Sequence, residues 1–241
     1  MERHISIKIL FILLAFSTLP CFAQKQTTSR RIQLNLWAEV DAYPGLKEVT
    51  KEDTESKQEN SAETEKAYAY PVERLKQLSA YLLNGMVYGW EFVYTPSDKL
   101  RNVAEYFECN NIKDFEKEKK QIIYDDPLIT DSKITCWIRF ERNPQMIKIY
   151  NQWANIKNPH IRGSGKDSLE NGFDGIVKAS ENALKDAIRE YYRKIIKNKP
   201  KEIRGTVLIK DVPAIYIKNG QYVVELDFFV ETVTISEYSQ F

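Results

Sequence analysis

The run SLENGFDGIVKASENALKDAIREYYRKIIK, Ser168–Lys197, carries a helical stripe. Leu169, Phe173, Ile176, Ser180, Ala183, Ala187, Tyr191 and Ile195 recur every three or four residues and so share one face, while Lys178, Asp186, Arg193 and Lys197 lie opposite. Asp167 or Ser168 can accept from the free N–H groups of the first turn, and Glu170, three residues after Asp167, completes a capping-box pattern. Lysines gather at the far end, where the helix dipole favours them, and Pro200 stops the helix. The apolar period then changes from 3.6 to 2, with Ile203, Gly205, Val207 and Ile209 alternating against Arg204, Thr206, Leu208 and Lys210. That is a strand. Asn219-Gly220, between Ile215, Ile217, Tyr222 and Val224, marks a type I′ hairpin, whose two central residues need positive φ.

Upstream, Arg31–Asp41 alternates as a half-buried strand, and Lys47–Lys66 is charged, without periodicity, and reads as a flexible loop or frayed helix. Pro71 is expected to open a helix buried through Leu75, Leu78, Leu82, Met86 and Val87. Trp90, Phe92 and Tyr94 follow as a strand, Ser97-Asp98 as the cap of a shorter helix reaching Phe107, and Lys113–Lys120 as an exposed extension. Ile122–Tyr124 begins another strand, Ile134, Cys136, Ile138 and Phe140 alternate cleanly, Asn143-Pro144 starts a helix ending near Trp153, and Asn155–Lys166 reads as a loop. Ile123–Ile129 resembles Ile209–Ile215, and Lys133–Phe140 matches the pattern of Gln221–Phe228, so a duplicated helix-strand-strand unit is one reading and coincidence among β-rich segments the other. The expected fold class is α+β: one antiparallel sheet of about five to seven strands with two long helices on one face. Residues 68–241 form its single domain, residues 24–67 an exported strand plus charged linker, and strand 31–41 is expected to join the sheet.

Residues 1–23 read as a signal peptide. Arg3, His4 and Lys8 form a basic head, Ile9–Leu19 is apolar but too short to span a bilayer, and Cys21-Phe22-Ala23 supplies a cleavage site. The alternative, lipid modification at Cys21, meets Pro20 where a small residue is wanted. The expected destination is the periplasm or outer cell envelope, with no later transmembrane span. Removing Arg3 and Lys8 from the 35 basic residues and Glu2 from the 34 acidic ones leaves 33 of each. A neutral, exported chain has no general pull toward nucleic acid.

His160 is the only histidine after export, no close cysteine pair accompanies it, and serine-hydrolase motifs are missing, so no catalytic residue, metal ligand or cofactor is assigned. Gly163-Ser164-Gly165-Lys166 lacks the upstream glycine of a phosphate loop, and Asp167 stands where Ser or Thr is needed. Two surfaces remain. Lys157, His160, Arg162 and Lys166 sit on the loop feeding the long helix, where an anion such as an acidic glycan or lipid headgroup could bind, although Asp167 and Glu170 compete for the same donors and a solvated loop is the plainer reading. Trp37, Trp137, Arg139 and Phe229 share the sheet's second face, which either meets an envelope protein or is covered by the Asn143–Trp153 helix. Cys109 and Cys136 can pair in an oxidising compartment or remain two buried thiols. The function that follows is a non-enzymatic binding module of the cell envelope. A carboxylate-dependent hydrolase of envelope polymers and a structural subunit of an envelope assembly are the alternatives.

Overall fold

A computed structural model describes residues 30–40, 60–130 and 132–238, with the side chains of residues 60–67 left aside. Residues 1–23, expected to be a signal peptide and including Cys21, and most of the expected 24–67 linker therefore lie outside the described residues. In chain order the elements are β1 (Arg31–Glu39), α1 (Asn60–Val87), β2 (Trp90–Thr95), β3 (Tyr106–Asn111), β4 (Ile123–Tyr124), β5 (Leu128–Ile129), β6 (Lys133–Glu141), α2 (Pro144–Trp153), β7 (His160–Ser168), α3 (Gly172–Ile195), β8 (Glu202–Ile209), β9 (Ala214–Lys218) and β10 (Gln221–Ser236). The architecture is α+β, as the alternation of periods implies.

The strands form two sheets where one was expected. The smaller has the order β1-β6-β4, with β5 also on β6; the larger has the order β3-β2-β8-β10-β7, with β9 also on β10. Two elements were misread in ways that hid this. The stretch expected to be a loop contains β7, whose alternation is disguised because its buried positions, besides Ile161, are Gly163 and Gly165. The expected helix from Ser97 to Phe107 is instead a turn, closed by paired backbone bonds between Asp98 and Val103, followed by β3. Asp98 does cap, but it caps that turn, accepting from Leu100 N at 3.0 Å.

Pro71 does not open α1. The helix starts at Asn60, and Pro71 lies inside it. Alanine, glutamate and lysine dominate the preceding residues, and these are strong helix formers that extend the helix despite the lost hydrogen bond. At the hairpin the expectation holds: Asn219 has φ 53° and Gly220 φ 70°, between the paired residues Lys218 and Gln221.

The two halves repeat one pairing pattern. β1 opposes β6 from Arg31↔Glu141 to Glu39↔Lys133, and β7 opposes β10 from His160↔Phe229 to Ser168↔Gln221. On the other side, β4 and β5 straddle Asp125-Asp126-Pro127 and pair with successive parts of β6; β8 and β9 straddle Lys210–Pro213 and do the same with β10. Ile134, Cys136, Ile138 and Phe140 point into the core, as do Tyr222, Val224, Leu226 and Phe228. The repeated unit thus begins with a strand, ahead of its helix. The β2–β3 hairpin belongs to the first half alone, and β2 pairs with β8 of the second.

Both long helices cover these core faces. α1 packs against β1, β6 and β8, so it spans both sheets, while α3 lies along β7 and β10. That contact is unusually close. A Cβ at Gly163 would stand 2.0 Å from the Ala183 carbonyl oxygen, and one at Gly165 2.0 Å from that of Ala179. Ala179, Ala183 and Ala187 recur every fourth residue on the facing helix surface and are fully buried. Gly163 and Gly165 therefore serve helix-strand packing, which accounts for the glycines that resemble a phosphate loop.

Candidate functional site

α3 ends beside the last residues of β2 and the first of β8, and a cleft of about 420 Å³ opens there. Its floor is set by strand pairing: Tyr94 of β2 lies opposite Ile203 of β8, and both are buried. Tyr192 closes the floor from α3, its hydroxyl 2.6 Å from Thr232 Oγ1. Pro96, Ile196 and Pro200 add apolar walls. On the polar wall, the Tyr94 hydroxyl donates to Glu105 Oε1 at 3.0 Å, Arg189 Nη1 lies 3.7 Å from the same oxygen, and Lys185 Nζ lies 3.9 Å from Oε2. Arg189 is oriented by a second bond to Asp186 at 3.0 Å. Burial and the neighbouring Glu105 carboxylate push the Tyr94 phenol well above its ordinary range, so it remains a proton donor.

A second cavity of about 810 Å³ shares Ser97, Lys197, Asn198 and Lys199 with the first and extends to the Asp98–Arg101 turn and Tyr238. Lys99, Arg101, Arg189, Arg193, Lys197 and Lys199 line the two, against Asp98, Glu105 and Glu237. The first cavity is therefore apolar at its base, and cations outnumber acids in the two linings, although Arg101, Arg189 and Arg193 are paired with Asp98, Asp186 and Glu190. Chemically this suits retention of a ligand with an anionic group. Where carboxyl groups among the described residues depart from ordinary ionisation, they depart downward: Asp98 through Arg101, Glu108 through Asn110 and Tyr106, Glu202 through Arg204, and Glu225 through Tyr216 and Arg162. Among the described residues no group of His, Cys, Asp and Glu is arranged to hold a metal ion.

The surfaces expected from sequence fall elsewhere. Lys157 sits in the turn after α2, whereas His160, Arg162 and Lys166 project from the outer face of β7. Six residues of extended chain separate His160 from Lys166 by about 20 Å, so they cannot converge on one anion. Arg162 pairs with Glu225 at 2.7 Å and approaches Asp227 at 4.0 Å, and Tyr216 donates to the same Glu225 at 2.8 Å. The His160 ring meets Phe229 edge-on at 4.8 Å. Nor do these residues surround a helix N-terminus: α3 begins only after a short 3-10 turn, Leu169–Asn171, which Ser168 caps.

Trp37, Trp137 and Arg139 share the outer face of the smaller sheet, but Phe229 belongs to the larger one. There it is buried, with Tyr150 of α2 against it at 5.9 Å, so the covering helix protects Phe229 alone. Trp37 is held by a bond from Nε1 to the Ile215 carbonyl at 3.2 Å and by Lys133 over its ring at 4.2 Å, and Arg139 pairs with Asp125. Trp137 is 47% exposed beside Ile123 and Leu128. Cys109 and Cys136 do not pair. They are free thiols in different sheets, Cys109 opposite Phe92 and Cys136 opposite Leu36, the latter donating to the Asp125 carbonyl at 3.1 Å.

Sequence reasoning missed the cleft. Its one signal was the run Arg189–Lys201, with six cations against the single acid Glu190, which reads equally as the dipole complement of a helix end. Tyr94 and Glu105 come from a different part of the chain and carry no motif.

The fold and cleft describe a two-sheet α+β protein whose two halves repeat one strand-pairing pattern. A protein-family model matches residues 17–238. A protein of Treponema pallidum (strain Nichols), described as an uncharacterized protein, is 30% identical over 208 residues, covering 86% of this chain and 82% of the relative. The chain belongs to that family. No solved structure matches it. No helix among the described residues is long and apolar enough to cross a membrane.

Proposed function

We propose that the chain is an exported cell-envelope protein that acts without catalysis, holding a small ligand with an anionic group in the cleft between Tyr94, Tyr192 and Arg189. The observation that supports this best is the cleft itself. Its size lies in the range of small-molecule sites, about 300–1,000 Å³, and it has an apolar floor with a few convergent polar groups. The experiment is thermal unfolding of the purified protein against peptidoglycan fragments, acidic glycans and soluble anionic lipid headgroups. A ligand at a hundred times its dissociation constant stabilises the folded state by about 2.7 kcal/mol. The reading requires a shift in midpoint that is lost in Arg189→Ala/Arg193→Ala. A shift that survives the double variant, or no shift with any of these ligands, overturns it.

The structural-subunit reading keeps one observation in its favour. Trp137, Ile123 and Leu128 form an exposed apolar face on the smaller sheet, of the kind that meets other proteins. An assembly built on that face would quench or shift Trp137 emission on mixing with the partner and leave the cleft open.

A further inference from the structure

Leu100 is 97% exposed, and it is held in that position. The turn that carries it is closed on both sides by backbone bonds between Asp98 and Val103, each 2.9 Å. From within, Asp98 Oδ1 accepts from Leu100 N at 3.0 Å, Asp98 Oδ2 binds Arg101 at 2.6 Å, and Asn102 supplies the positive φ of 55° that completes the bend. A single exposed leucine is ordinary on a protein surface. A leucine at the tip of a stiff turn, between Lys99 and Arg101, is a more specific arrangement, because the chain is ordered before anything touches it and binding need not order it again. Beside the turn stand Lys197 and Lys199, which line the same cavity, and Tyr238, over whose ring the Arg101 guanidinium lies at 4.5 Å. Among the described residues, Lys99 and Lys197 make no ion pair, and Lys199 donates only to the Ser97 carbonyl, at 2.8 Å. Among the described residues these three lysines face one unpaired carboxylate in the cavity lining, Glu237, because Asp98 is taken by Arg101.

We propose that this corner docks on an anionic lipid bilayer, with Leu100 entering the boundary between headgroups and acyl chains and Lys99, Lys197 and Lys199 resting on the headgroup charge. Apolar insertion and cation-headgroup attraction are the two contributions that hold a protein at such a surface. An acidic polymer in solution would reward the lysines but not the leucine; a bilayer rewards both. No part of the proposal depends on the neighbouring cleft holding a ligand.

The test is co-sedimentation with vesicles of phosphatidylglycerol mixed with phosphatidylcholine, compared with phosphatidylcholine alone. Wild type is expected to sediment with the mixed vesicles, to be released as salt rises, and to ignore the neutral ones. Leu100→Ser is expected to weaken binding about tenfold or more, and Lys99→Glu/Lys199→Glu about 25-fold or more, at roughly fivefold for each lysine lost. Both variants lie at exposed positions, and an unchanged urea midpoint verifies that they fold. Equal sedimentation with both vesicle types, failure to sediment with either, or full binding by either variant overturns the proposal. So does binding to soluble polyphosphate that Leu100→Ser leaves intact, if vesicles do not compete for it.

Discussion

Replacing Gly165 with alanine tests how α3 is seated. The new Cβ would stand 2.0 Å from the Ala179 carbonyl oxygen and 2.3 Å from the Ala183 nitrogen, where ordinary contact begins at 3.4 Å. Both obstacles are backbone, so no rotamer relieves them, and α3 must lift from β7 by more than about 1 Å. A gap of that size forfeits about a quarter to a half of the attraction between facing atoms. Ile176, Leu184, Ile188 and Tyr192 are buried along the same helix. Each contributes about 1.5–3 kcal/mol by burial, so the four together lose about 1.5–6 kcal/mol. Urea unfolding measures this as a lowered midpoint at unchanged slope. Ser164→Ala, one residue away on the outer face of β7, is the control and should stay within about 0.5 kcal/mol of the parent. A Gly165→Ala protein as stable as that control would refute the argument that glycine sets the approach of helix to strand.

Gly89 and Gly220 separate strain from collision. Both have positive φ, but a Cβ at Gly89 would lie 2.3 Å from the Val207 carbonyl oxygen, whereas nothing lies within 4 Å at Gly220. Gly220→Ala is expected to cost about 1 kcal/mol from backbone strain alone, and Gly89→Ala at least about 2 kcal/mol, both read from urea midpoints. Asp98, Glu108, Glu202 and Glu225 have folded-state pKa values lowered by hydrogen-bonding and charged neighbours. Their stabilisation is present above the unfolded values and is lost as pH falls through the folded ones, so the urea midpoint should hold down to about pH 5 and decline below about pH 4. Asp98→Asn should flatten part of that decline. Burial pushes the Cys109 thiol up to about 12 and also raises that of Cys136, so a thiol reagent at pH 8 should label the native protein slowly and both residues promptly in urea. Prompt labelling of the native protein, or no free thiol after unfolding, would contradict this.

Strands whose buried positions are large and apolar, β1 and β6, were legible by their spacing, and the β9–β10 turn by Asn219-Gly220; α3 was legible as a helix, although its buried positions are mostly small and its far end turns Tyr192 inward in place of Tyr191 and leaves Ile195 exposed. β7 was not, because Gly163 and Gly165 stand where its core-facing side chains would be, and their reason for being glycine lies on α3. The exchange of a helix for a turn near Asp98 has a similar cause, since an acidic cap satisfies a tight turn as readily as a first helical turn. Two sheets were read as one because nothing in the sequence indicates that the ladders built on β6 and β10 stay separate. The cleft was invisible because nothing local to Trp90–Thr95 indicates that it pairs with β8, which is what brings Tyr94 to the end of α3.

That β2 belongs to the first half of the chain and pairs with β8 of the second has a consequence for the order of folding. The β1–β6 contact closes a loop of about a hundred residues, and so does the β2–β8 contact, with α1 resting on strands from both halves. The first half therefore cannot finish its core while the second is missing, even though the two repeat one pattern. Contacts so distant along the chain slow folding, and they make assembly a late, cooperative event. A ribosome or a translocation pore releasing the chain from its N-terminus would emit an incomplete first repeat, still without a neighbour for β2, until β8 emerged. Two halves separated by cleavage between α2 and β7 would have to find each other in solution, as partners of a heterodimer do.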